Sequence, residues 1–147
     1  MRFTGPYLNF SGNAEEALEF YRSVFGGEYE GVMRFRDFGD NAMGVSEADL
    51  DKIAHVSLPL GEGIGLMASD VVGPEADAFN AGNNVYLYLE ADTAEEADRL
   101  FGALSEGGVA EMPLQPTEWA EKYGTCVDRF GVRWMISFTG DVEFSMQ

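Results

Sequence analysis

A strand, a short polar turn and a helix occur twice in this chain, and that repetition limits the possible folds more than any other feature. The apolar run Tyr7-Leu8-Asn9-Phe10 leads into Asn13-Ala14-Glu15-Glu16-Ala17-Leu18-Glu19-Phe20, and Tyr86-Leu87-Tyr88-Leu89 leads into Thr93-Ala94-Glu95-Glu96-Ala97-Asp98-Arg99-Leu100. Each helix opens with a capping residue, Asn13 or Thr93, three places before Glu16 or Glu96, which is the spacing of a capping box. Each runs out into a glycine pair, Gly26-Gly27 or Gly107-Gly108, able to close a helix end. A unit repeated in this detail about 80 residues apart predicts a duplicated module.

The remaining periodicity completes both modules. In the first, a strand at Pro6 to Phe10 precedes a helix from Ala14 to Phe25, whose residues Ala14, Ala17, Leu18, Tyr21, Val24 and Phe25 share one face. Tyr29 to Phe38 reads as a strand bent near Gly31, followed by a polar loop from Gly39 to Asp51 with one helical turn after Ser46. Ile53 to Leu60 and Ile64 to Ser69 form a hairpin through Gly61-Glu62-Gly63. The Gly61-x-Gly63-x-Gly65 spacing is not a phosphate loop, because no helix follows whose N-terminus would hold the phosphate. In the second module, Val85 to Leu89, Val109 to Leu114, Tyr123 to Asp128 and Val132 to Phe138 are strands, and Ala94 to Ser105 is a helix. The expected fold is α+β: two tandem βαβββ modules whose curved mixed sheets enclose a cleft, since either sheet alone would leave one face unfilled. Residues 1–147 are expected to form a single domain, with module one at about 5–70, a linker at about 71–82 and module two at about 83–140.

Charge and composition remove several function classes. Acidic residues outnumber basic ones 26 to 9, and the resulting net charge of −17 repels phosphate backbones and anionic lipid surfaces, so no nucleic-acid or membrane partner is expected. No run approaches the roughly 18 apolar residues of a membrane span, and Met1 to Pro6 lacks an apolar signal core, which makes a cytoplasmic location the expectation. Cys126 is the single cysteine and His55 the single histidine, too few for a disulfide or a zinc-finger ligand set. Cys126, between Thr125 and Val127 in a strand, reads as a buried structural thiol.

The stretch from Pro6 to Gly27 resembles the PhnB-like branch of the glyoxalase/bleomycin-resistance/extradiol-dioxygenase superfamily, also called vicinal oxygen chelate. Three further pieces carry the same resemblance: His55 in the third strand, Leu66-Met67-Ala68-Ser69-Asp70 closing the fourth, and the run from Trp119-Ala120 through Tyr123-Gly124 and Asp128-Arg129-Phe130-Gly131-Val132 to Trp134. The resemblance spans nearly the whole chain and implies paired βαβββ modules and a homodimer. It leaves function open, because the fold hosts metal-dependent isomerases, dioxygenases and lyases beside metal-free drug-binding proteins. Metalloenzymes of the superfamily place His or Glu ligands on the first and last strands of each module. The matching positions here, within a residue, are Pro6 or Tyr7, Met67, Asn83 or Asn84, and Met135, and none is a His, Asp or Glu. Glu90, Asp70 and Asp128 lie near strand ends but are scattered, so no bound metal and no other cofactor is expected.

What remains is an aromatic and methionine-rich lining. Trp119, Tyr123, Trp134, Phe38, Met67 and Met135 are its candidates, joined by His55, Tyr7 and Asn84. The first functional expectation is a metal-free protein that binds or sequesters a cationic or aromatic small molecule. The alternative is a metal-dependent lyase, isomerase or dioxygenase with an atypical ligand set. Open sheet edges, together with the resemblance, predict a homodimer. Gln115 to Tyr123, at whose start Pro113 and Pro116 interrupt strand pairing, is expected to form a mobile flap carrying Trp119.

Overall fold

The computed structural model describes residues 1–39 and 43–143. The chain divides into two compact units, Met1–Ala81 and Gly82–Gln147. In the first, β1 (Tyr7–Phe10), α1 (Ala14–Phe25), β2 (Glu30–Arg34), β3 (Ile53–Gly61) and β4 (Ile64–Asp70) follow in chain order. They make a four-stranded sheet in the order β1-β4-β3-β2, with β1 parallel to β4 and the other pairs antiparallel. In β3 and β4, Val56, Leu58, Leu66 and Ala68 are buried while their neighbours Ser57, Pro59, Gly65 and Met67 alternate to the other face. The buried set packs under α1, whose Ala14, Ala17, Leu18, Tyr21 and Val24 are themselves buried. A fully buried leucine here, such as Leu58 or Leu18, contributes about 1.5–3 kcal/mol.

The second unit repeats the plan with β5 (Leu87–Glu90), α3 (Ala94–Ser105), β6 (Val109–Gln115), β7 (Lys122–Val127) and β8 (Arg133–Phe138). Its sheet order is β5-β8-β7-β6, again with the first and last strands parallel. Cys126, Trp134 and Ile136 are buried on the side of α3, whose Ala97, Leu100 and Leu104 fill the same core. Gly124 admits this packing: a Cβ there would stand 2.8 Å from the Met112 carbonyl oxygen and 3.0 Å from the Phe101 ring. Two four-stranded mixed sheets, each unclosed and each carrying one long helix, are the α+β architecture expected from the repeat. Among the described residues, no helix is long and apolar enough to cross a membrane.

Several details differ from expectation for identifiable reasons. The strand expected over Tyr29 to Phe38 ends at Arg34, and Phe35–Phe38 form a 3-10 turn in which the Asp37 carboxylate accepts the Arg34 N–H at 2.7 Å. The bend at Gly31 is present as a positive φ of 71°, within a register shift between Glu30 and Met33. The helical turn after Ser46 is present at Glu47–Asp49, whereas residues 40–42 of the expected loop lie outside the described residues. β5 begins at Leu87 rather than Val85, and the expected linker contains a short helix, α2 (Pro74–Asp77). Pro113 sits in the edge strand β6 beside register shifts, where a missing N–H is tolerated.

The two helix starts are capped differently. Thr93 Oγ1 accepts the Glu96 N–H at 3.0 Å, and Glu96 returns a carboxylate to the Asp92 N–H, so the box closes one residue earlier than its usual form. Asn13 makes no side-chain cap. The first turn of α1 is held instead by Asp70, whose Oδ1 accepts the N–H groups of Gly12 and Ala14 at 3.0 and 2.9 Å.

Candidate functional site

Each sheet leaves one face uncovered by its own helix. On the first, Tyr7 stands opposite Met67, Asn9 opposite Ser69, Ser57 opposite Met67 and His55 opposite Met33. Residues opposite one another share a face, so Tyr7, His55, Met33 and Met67 are gathered there. The Tyr7 hydroxyl and His55 Nδ1 are 2.9 Å apart, and Ser69 Oγ donates to Asn9 Oδ1 at 3.1 Å. An apolar hollow at the edge of this face, lined by Phe3, Pro59, Ile64 and Met67, measures about 200 Å³. Ordinary small-molecule pockets begin near 300 Å³, so this hollow admits only a fragment.

On the second sheet the open face is richer in aromatic and charged groups. Three rows cross it. Glu90 stands opposite Ser137, which stands opposite Tyr123, and Tyr88 stands opposite Met135, which stands opposite Thr125. The third row pairs Arg133 with Val127. Trp119 meets Tyr123 edge to face with ring centres 5.2 Å apart, and its own side chain is 44% exposed. The turn that carries it is pinned, since Thr117 Oγ1 accepts the Trp119 and Ala120 N–H groups and Ala120 is fully buried.

The electrostatics of this face come from two clusters. The Tyr88 hydroxyl donates to Glu90 Oε2 at 2.7 Å, while the Thr139 N–H donates to Glu90 Oε1 at 2.8 Å. Burial pushes the Glu90 carboxyl up, but these donors outweigh it and hold the group below the usual carboxylate range, hence ionised. Burial also pushes the Tyr88 and Tyr123 hydroxyls up, so both stay neutral donors. In the second cluster, Arg133 Nη1 donates to Glu111 Oε2 at 3.0 Å and lies 3.4 Å from the Tyr86 hydroxyl, which itself donates to Glu111 Oε1. The guanidinium rests 5.8 Å from the centre of the Tyr86 ring.

Of the residues expected to line a site, Tyr7, His55 and Met67 come together on the first open face, and Trp119, Tyr123 and Met135 on the second. Trp134 does not join them: it is 1% exposed on the α3 side and donates its indole N–H to Asp128 Oδ2 at 2.8 Å. Its burial follows from strand alternation, which sets it with Ile136 and away from Met135. Phe38 closes the 3-10 turn and is exposed, and Asn84 lies exposed in the irregular segment ahead of β5. The residue that register sets opposite Met135 is Tyr88.

A divalent metal does not fit these positions. A phenol faces a thioether at Tyr7 and Met67, and again at Tyr88 and Met135, and neither is a good ligand for a hard or borderline cation. Asp70 and Asp128 have backbone duties, the first to Gly12, Ala14 and Ile53 and the second to Phe130 and Val132. Among the described residues, no three His, Cys, Asp or Glu side chains are grouped to hold a metal ion.

Tyr88, Arg133 and Ser137 are the residues that reading the sequence for a cleft passes over. The signal was available in alternation: once Met135 is taken to face outward from the core, Arg133 and Ser137 must face the same way.

Residues 3–137 match the family described as 3-demethylubiquinone-9 3-methyltransferase. Protein YjdN of Escherichia coli K12 is 32% identical over 139 residues, covering 90% of this chain and 92% of that protein. The structure resembles that of protein PA1353 from Pseudomonas aeruginosa, with TM-score 0.80 and 38% identity over 94% of this chain and 98% of that one. It also resembles a putative 3-demethylubiquinone-9 3-methyltransferase, PhnB protein, from Bacillus cereus, with TM-score 0.73 and 28% identity over 94% and 99% of the two chains. A glyoxylase/bleomycin resistance protein/dioxygenase domain from Frankia sp. EAN1pec shares the fold, with TM-score 0.62 and 12% identity over 95% and 96%. The chain belongs to the family described as 3-demethylubiquinone-9 3-methyltransferase, built on the fold it shares with the glyoxylase/bleomycin resistance protein/dioxygenase domain.

Proposed function

We propose that this protein binds a cationic, partly aromatic small molecule on the open face of its second sheet, without a metal. The observation that carries the reading is the row Glu90–Ser137–Tyr123, which joins an ionised carboxylate to the half-exposed Trp119–Tyr123 pair across one stretch of sheet. An aromatic pair recognises a ligand ring or cation through its π faces, and a carboxylate already held ionised needs no further cost to meet a positive charge. The net charge of −17 attracts such ligands from solution. The binding unit is a homodimer in this reading, supported by the open edge strand β6 with Val109 exposed at its start.

Isothermal titration against a panel of cationic aromatic compounds tests the reading, with S-adenosylmethionine included because the family description names methyl transfer. Saturable binding that Trp119→Ala weakens at least tenfold supports it, and indifference to the whole panel overturns it. Metal analysis of untagged protein purified without chelator is the companion measurement, since a stoichiometric transition metal would reverse the metal-free assignment. Sedimentation at micromolar concentration showing a 16.1 kDa species would remove the dimer.

A further inference from the structure

Two buried side-chain polar atoms, Arg133 Nε and Ser137 Oγ, have no hydrogen-bond partner among the described residues. Leaving such an atom unsatisfied costs about 1–3 kcal/mol, so each calls for an explanation. Both belong to β8. Register sets both on its open face, four residues apart with Met135 between them, a span of about 13 Å along the strand.

The chemistry at the two ends is opposite. Arg133 spends Nη1 on Glu111 and Tyr86, which leaves its Nε edge, the edge that grips a carboxylate or phosphate with two parallel hydrogen bonds, unengaged. Ser137 is 1% exposed and stands close enough to Tyr88 and Glu90 for its hydroxyl to favour the ionised form of each, yet its Oγ makes a well-formed hydrogen bond to neither, so it is placed to share with Glu90 a donor such as an ammonium group. Between the ends lie the thioether of Met135 and the rings of Tyr88 and Tyr123.

Resting on the binding face assigned above, we infer that the ligand is an elongated zwitterion, with its anionic end on the Arg133 Nε edge, its cationic end between Glu90 and Ser137, and an apolar body over Met135. Tyr86 covers the guanidinium and Tyr88 adjoins the serine, so the ligand enters by swinging these rings aside. Tyr88 is already 56% exposed, so only its hydrogen bond to Glu90 must yield.

The test titrates straight-chain ω-amino carboxylic acids of six to twelve carbons, alongside the amine and the carboxylate of equal length, into the full chain. The expected result is one optimal length at which the zwitterion binds at least tenfold tighter than either singly charged analogue. Arg133→Gln, which removes fork and charge, should erase that advantage, and Arg133→Lys, which keeps the charge without the fork, should retain only part of it. Glu90→Gln should weaken zwitterion and amine together. Equal binding of amine and zwitterion at every length overturns the inference while the cation-binding reading survives. Failure of amines, zwitterions and the cationic aromatic panel alike overturns both. Should Arg133→Gln fail to fold, the comparison of analogues on the unaltered chain decides the matter alone.

Discussion

Asp70, the last residue of β4, caps a helix that begins 56 positions earlier, its Oδ1 lying 2.9 Å from the backbone nitrogen of Ala14. The same carboxylate takes the Gly12 N–H on Oδ1 and the Ile53 N–H on Oδ2, tying the turn before α1 and the start of β3 to one buried group. Asp70→Ala would orphan three N–H groups at once and should destabilise the protein by about 3–5 kcal/mol, lowering the melting temperature by roughly 10 °C in a chain of this size. Asp70→Asn should lose nearly as much, because an amide offers a donor where Ile53 also presents one. Calorimetry that finds Asn as good as Asp would show that the negative charge and its second acceptor do not matter.

Trp134 is held in the core by its shape and by the hydrogen bond its indole N–H donates to Asp128. Trp134→Phe keeps most of the shape and removes the bond, so urea unfolding should register a loss of about 1–3 kcal/mol with little change in the slope of the transition. A neutral result would mean that the indole N–H contributes nothing net.

Trp119 should behave in the opposite way. Its ring is half exposed and its chief described contact is the edge-to-face pair with Tyr123, an interaction of about 0.5–1.5 kcal/mol. Trp119→Ala should therefore cost roughly 1 kcal/mol or less in stability while abolishing the fluorescence response to ligand. A melting temperature lowered as far as that of Asp70→Ala would make this tryptophan structural and deprive the proposed site of its anchor.

Cys126 lies fully buried in β7, and burial, helped by Asp128 and Glu111, pushes its thiol up from about 9 to about 11. An unfolded chain ionises this thiol near 9 while the folded chain does not. The stability held in the neutral thiol is thus fully present below pH 9 and lost as the pH climbs to 11. The loss should approach about 3 kcal/mol at most and should disappear in Cys126→Ala, measured as the difference between the two proteins so that raised tyrosines cancel. Iodoacetamide at pH 8 should leave native protein untouched and label one site in guanidinium. Rapid labelling of the native protein would contradict this placement.

Local chemistry was legible and distant chemistry was not. Both long helices begin and end where their apolar spacing and glycines indicate, and the Gly61-Glu62-Gly63 turn joins β3 to β4 as read. The cap of α1 was misread because its acceptor comes from Asp70, which no local pattern ties to Asn13. At the site, residue type suggested both tryptophans equally. Strand alternation separates them, sending Trp134 inward with Ile136, and the loop turn on Thr117 leaves Trp119 outside. Alternation alone sets Arg133 and Ser137 on the face of Met135, but only strand register brings Glu90 and Tyr123 opposite Ser137 and so marks that face as a site.

The parallel pairing of first strand with last also dictates an order of events during synthesis. Tyr7 finds its partner only when Met67 has been made, and Leu87 only when Trp134 has, so in each module the opening strand waits through about 50 to 60 residues of chain growth with an unsatisfied edge. A chain stopped short of Arg133 would have built β5, β6 and β7 yet held nothing to join β5 to the sheet. Such a fragment would present an orphaned strand to its neighbours, and the completion of β8 is the step that converts an aggregation hazard into a finished module.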